Sequence, residues 1–253
     1  AEDPPEDDPG QRCAGFFLAF LVATNAAGAI SKELADGTLL PLVSKPVSRR
    51  QIVLGKFVAI VAHAILLEAI ILVLLAVMLR FMLPIGTVTL MALLAAIPWV
   101  MLYSLLVILL FGAISIALSS LIESQIRIMA IVIALVILVF GVLTISHLMG
   151  IQNTSAYEDY HLYVLDAPYH LGNAFVPAMK QAIGGELLPV SQLETFQSFT
   201  GVFEERPADV IGMGRPAELV NYVRPVLSVF ILLGISAVAL WGALRAMDRK
   251  DVG

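Results

Sequence analysis

Five apolar stretches, each near or above bilayer-crossing length, constrain this chain more than any other feature. They run from about Ala14 to Ile30, Phe57 to Leu79, Val88 to Ser119, Ile128 to Met149 and Pro225 to Leu244. A helix needs about 20 mainly apolar residues to cross a hydrocarbon core of about 30 Å. The first stretch is near the short limit. The third is too long for one straight span, and Pro98 inside it predicts an interfacial turn or a kink. With 59% hydrophobic and 14% charged residues, the chain is far from the roughly 45–50% and 25% of a soluble domain. A soluble enzyme or nucleic-acid binder is excluded. The expected fold is all-α, a polytopic integral membrane protein with five transmembrane helices and short interfacial helices. One cysteine, Cys13, supports neither an internal disulfide nor a cysteine metal site.

Charge orients the spans. Residues Lys32–Lys56 carry a net +3 (Glu33 and Asp36 are their only acids) and the tail after Leu244 a net +1, whereas residues 1–12 carry −4 and Gly150–Val223 carry −6. Five crossings put the two basic segments on one face and the two acidic ones on the other. Basic loops stay in the cytosol, so residues 31–56 and the C-terminus are read as cytosolic, in a cytoplasmic (inner) membrane. The chain then divides into an outer acidic leader (1–13), spans one to four (14–149), an outer segment (150–223) and the last span with its tail (224–253). An acidic start also excludes a signal peptide, which needs a basic leading region. No pooled basic patch exists to bind nucleic acid.

The outer segment holds Tyr157, Tyr160, Tyr163 and Tyr169, four of the six tyrosines, which reads as an interfacial aromatic belt. Leu171–Ile183 is suited to a short helix lying near the outer membrane surface. His161 and His170 stand among Glu158, Asp159 and Asp166, but their spacing matches no metal-ligand pattern. They read as solvated loop residues, with no metal assigned.

The most informative stretch is ISKELADGTLLPLVSKPVSRRQIVLGKFV, residues 30–58. Ser31 or Lys32 starts a brief helical continuation that Gly37 is suited to end. Thr38 can cap a second short piece bearing Leu39, Leu40, Leu42 and Val43. Pro46 then forces extended chain, and Ser48 with Gln51 has the form of a capping box opening the second span. Arg49 and Arg50 fall in that helix's first turn, where cations oppose its dipole. Anionic headgroups, the positive-inside bias or an acidic partner would favour them there.

This stretch resembles the type 2 family of ABC transporter permeases. The matching positions are Asp36, Gly37, Thr38, Leu39, Pro46, Ser48, Arg49, Gly55 and Lys56, and the Arg-Ala-Met-Asp-Arg-Lys-Asp tail from Arg245 is similar as well. The resemblance implies a dimer of permease copies, homomeric or heteromeric, and a separate cytosolic ATPase subunit. That ATPase would be contacted through a coupling loop of Glu33, Asp36, Gly37, Thr38, Leu39, Leu40, Leu42, Ser48, Arg49, Arg50 and Lys56. It also implies six spans with both ends inside, so one more span is expected upstream of Ala1.

The chain is not expected to be an enzyme by itself. Arg50 stands where a P-loop's first glycine would, and Phe57 where its Ser or Thr would. ATP and Mg therefore belong to the partner ATPase, and this chain binds no cofactor. No protease or hydrolase motif appears.

Glu68, the one acid inside a span, costs about 2.5–3.5 kcal/mol if ionised there. It is protonated, paired, or facing protein or a wet cavity: a transport-path group or latch, or a structural hydrogen bond. His63, five residues earlier, is turned about 140° away, so the two form no relay. Gly112, Ala113, Ser115, Ala117 and Ser119 supply small-residue pairs for close helix packing, within the subunit or at a dimer interface. The expected function is the permease subunit of an ATP-driven exporter, surrounded by membrane lipid. The rival is a non-transporting anchor or assembly subunit of an envelope machine, worked through its outer segment.

Overall fold

A computed structural model describes residues 48–82, 86–143, 155–183 and 222–249. These fold into helices, with no strand among the described residues. Helix α1 spans Arg49–Met82, α2 Thr87–Leu121 and α3 Gln125–Ile137, which runs on as π-helical turns over Leu138–Leu143. Beyond them come α4 (Ser155–Asp159), a 3₁₀ turn (Leu162–Val164), α5 (Ala167–Ile183) and α6 (Pro225–Arg249). Four of these, α1, α2, α3 with its π turns, and α6, are long and apolar enough to cross a membrane. They coincide with the second to fifth predicted spans. The first, Ala14–Ile30, lies outside the described residues, as do loop positions Glu33, Asp36, Gly37, Thr38, Leu39, Leu40 and Leu42.

The predicted capping box opens α1. Ser48 N–H donates to Gln51 Oε1 at 2.9 Å, and Gln51 N–H donates to Ser48 Oγ at 3.3 Å. Two of the helix's unpaired donors are thereby satisfied reciprocally. Ser48→Ala is expected to cost about 1 kcal/mol, read as earlier hydrogen exchange over the first turn of α1.

Helix α2 is the centre of the bundle, packed against α1, α3, α5 and α6. Its Leu106, Val107, Leu110 and Phe111 meet Ile128, Val132, Val136 and Val139 of α3 and its π turns, Leu171 of α5, and Leu232 of α6. By contrast α1 turns Leu66, Ile70, Leu74 and Phe81 outward. In lipid that exposure costs nothing, because acyl chains are as apolar as leucine and helices associate through close packing instead. Gly112, Ala113, Ser115 and Ser119 are accordingly buried and Ala117 half-buried, all by contacts within this one chain.

Three expectations are narrowed or corrected. Helix α2 is continuous through Pro98, which excludes the interfacial turn and leaves the kink of the two expected alternatives. Proline removes its own N–H donor and crowds the carbonyl four residues earlier, but apolar residues on both sides sustain the helix. Second, α5 starts at Ala167 rather than Leu171, and its residues 168–173 are buried against the bundle. Third, the tyrosines form no belt. Tyr157 and Tyr169 are buried with Tyr163 and Tyr222 in a compact aromatic cluster, and only Tyr160 is largely exposed.

Candidate functional site

Three places carry polar groups in an otherwise apolar bundle: its basic end, its middle, and the tyrosine-rich cap at the other end. The basic end is where α1 starts, α2 and α3 meet at a three-residue turn (122–124), and α6 finishes. Ile52 and Val53 of α1 pack there against Ile116 of α2 and against Ala243 and Met247 of α6. Over this apolar seat, Arg50 Nε and Nη2 both donate to Asp248 Oδ2, at 3.0 and 2.7 Å. Arg49 Nη1 donates to the Met247 carbonyl at 3.3 Å.

This clamp answers the puzzle of two arginines in a helix's first turn. They oppose the dipole of α1, but they lie at the last turn of α6, where that helix's dipole and unpaired carbonyls attract cations. The favourable anion is thus Asp248 of the same chain, a partner the sequence reading did not identify. Lys56 lies half-buried two turns further along α1. A side chain added at the neighbouring Gly55 would meet nothing within 4 Å. Among the described residues, packing therefore gives no reason for that glycine.

In the middle of α1, Glu68 is buried and turned to α2, with Ser104 as its hydrogen-bonding neighbour. One turn away on each helix, Ala64 packs on Ile108, fixing the antiparallel register that brings Glu68 to Ser104. Oε2 of Glu68 has no partner among the described residues. His63 is exposed, on a different face of α1. The middle thus holds one interhelical hydrogen bond with spare bonding capacity, and no relay.

The cap is a built polar structure. Asp166 Oδ1 accepts the Tyr169 N–H at 3.2 Å, capping α5, while Oδ2 accepts the Tyr157 hydroxyl at 2.8 Å. Asn173 Nδ2 donates to the Val223 carbonyl at 2.7 Å and to Ser228 Oγ at 2.9 Å. The Val223 N–H donates to the Tyr169 hydroxyl oxygen at 3.0 Å. His170 is fully buried, its Nε2 at 2.9 Å from the Val164 carbonyl and Nδ1 at 3.0 Å from Ser228 Oγ. A carbonyl only accepts, so Nε2 carries the proton and Nδ1 accepts from serine. His170 and Asp166 are therefore structural groups rather than solvated loop residues. Among the described residues, no three His, Cys, Asp or Glu side chains group to hold a metal ion.

Tyr163 and Tyr222 stack at 4.6 Å with an interplanar angle of 7°. Burial, reinforced by the Asp166 carboxylate, raises the Tyr157 phenol far above its ordinary range, and burial also raises Tyr169 and Tyr222. Folding thus favours the protonated phenols. That contribution is complete below the unfolded-chain value of about 10 and is lost as the pH rises toward the folded values. The cap is expected to loosen in alkali as its buried phenols ionise, a transition that ultraviolet titration with parallel proteolysis would resolve.

The structure thus brings Arg49 and Arg50 together with Met247 and Asp248, pairs Ser48 with Gln51, and keeps Glu68 and His63 apart. A family model described as "ABC-2 family transporter protein" matches residues 4–252. No curated protein matches the chain.

Proposed function

Because the chain belongs to the ABC-2 transporter family and is an integral membrane protein, we propose that it is the permease subunit of an ATP-driven exporter. A separate ABC ATPase would dock on residues 31–56 at the basic end, which lies in the cytosol, and a second permease copy would complete the pathway. ATP and Mg would be bound by the ATPase. The observation carrying this reading is the clamp of Arg49 and Arg50 onto Met247 and Asp248. It joins the helix that leaves the coupling loop to the last helix, so a push on the loop is passed from α1 to α6. Gly55 supports the reading, because it leaves an unobstructed patch of helix for a partner to approach closely. Access would then switch by rocking between two packed states, with ATP biasing the balance.

Purification of the native complex tests the proposal. An ABC ATPase should accompany the chain, and replacing Gly37 or Arg49 should reduce substrate-coupled ATPase activity. The reading fails if no ATPase accompanies the chain or if those replacements change nothing. The second reading, a non-transporting anchor or assembly subunit, is favoured by the ordered cap, a surface able to seat an envelope partner. A complex that holds an outer partner and no ATPase would establish it.

A further inference from the structure

We propose that the cleft between the ends of α2 and α6 binds the phosphate of an anionic phospholipid headgroup. The cleft has a volume of about 310 Å³ and is lined by Ser120, Leu121, Gly242, Arg245, Ala246 and Arg249. That is the small end of the range for ligand sites. Arg245 and Arg249 are one turn apart on α6, so both guanidinium groups serve the same opening. Among the described residues neither makes a hydrogen bond or ion pair, and Arg245 contacts only the Trp241 ring, at 4.1 Å. The nearest acid on α6, Asp248, is engaged by Arg50 on the other flank. Among the described residues, the cleft lining is therefore cationic and holds no acid.

Its depth identifies the anion. Trp241 is half-exposed one turn before Arg245, at the end of an apolar helix. Tryptophan in that position marks the boundary between acyl chains and headgroups, and arginines just beyond it reach the headgroup phosphates. The favourable placement of cations at a helix C-terminus accounts for an arginine in the last turn. It does not account for two arginines opening into a cleft between helices. Basic pockets between membrane helices are sites for anionic headgroups, and guanidinium groups bind phosphate oxygens in bidentate fashion. Gly242 lies on the cleft wall with nothing within 4 Å of an added Cβ, so the space there is open to a ligand. The inference needs only that the chain is embedded in a membrane, and stands whether or not an ATPase docks.

The full-length protein in nanodiscs of mixed phosphatidylglycerol and phosphatidylcholine provides the test, with bound lipid read by native mass spectrometry. Wild type should retain one phosphatidylglycerol through delipidation, and excess inorganic phosphate should not displace it. Arg245→Gln with Arg249→Gln should reduce the preference for phosphatidylglycerol roughly thirtyfold. Arg80→Gln with Arg224→Gln, which removes the same charge at the opposite end, should leave it unchanged. Gly242→Leu fills the cleft with both arginines intact and should also abolish retention, with helix content unaltered. Equal retention of the two lipids, displacement by inorganic phosphate, or full retention by the Arg245/Arg249 double variant would each overturn the assignment.

Discussion

Arg50→Glu is expected to lower substrate-coupled ATPase activity roughly tenfold, and adding Asp248→Arg to restore most of it. Coupling between distant sites is typically about 1–3 kcal/mol, or 5–150-fold in the quantity coupled. Under the proposed function, the Arg50–Asp248 pair is the mechanical joint at the loop end among the described residues. Glutamate at position 50 would place two carboxylates where Nε and Nη2 now share Asp248 Oδ2, pushing the start of α1 from the end of α6. The pair is exposed, and an exposed pair contributes little to folding. The thermal stability of the purified permease should therefore hardly move. That separates a broken joint from a broken fold. A double exchange as inactive as the single one would show that the arginine acts elsewhere, on the ATPase itself for instance.

Asn173→Leu is expected to be the most destabilising single change in the cap, at about 2–4 kcal/mol. Leucine keeps asparagine's branched skeleton but is bulkier, so lost bonding is joined by some overpacking of a buried site. The side-chain amide holds the Val223 carbonyl and Ser228 Oγ at once, and both acceptors are in buried surroundings. Leaving them without that donor incurs their desolvation with nothing in return. Ser228→Ala removes one group from the same network and should cost less, because the Asn173 bond to Val223 survives. Unfolding in detergent followed by proteolysis within residues 155–170 would rank the two. Equal and small effects would mean that the cap is held by its aromatic contacts alone.

What could be read in the sequence followed from short-range physics. Hydropathy located the described spans, since nothing but length and apolarity decides what crosses lipid. Two residues three apart were enough to place the first turn of α1. What could not be read depended on contacts between distant residues. Arg50 and Asp248 are 198 positions apart, and the acid looks like any other member of a mixed-charge tail. Ser104 meets Glu68 only because α1 and α2 pack antiparallel with Ala64 on Ile108. The apolar spacing of α5 serves a membrane surface and a helix bundle equally well, so spacing alone could not show that its first turns are buried. The tyrosines misled in the same way, because an aromatic ring with a hydroxyl suits both an interface and a small hydrogen-bonded core.

The length of α1 has a mechanical meaning. Its 34 residues make a rod of about 51 Å, well over the roughly 30 Å of hydrocarbon it has to cross. Measured from Glu68 at mid-span, the arm down to Arg49 is about 28 Å long at 1.5 Å per residue. A tilt of about 10° around that fulcrum swings the arginine end by roughly 5 Å, close to one helical pitch. The same tilt barely displaces residues at the fulcrum. Small angular changes deep in the bilayer and large excursions at the loop are then two ends of one motion, with the gearing set by how far α1 extends beyond the membrane.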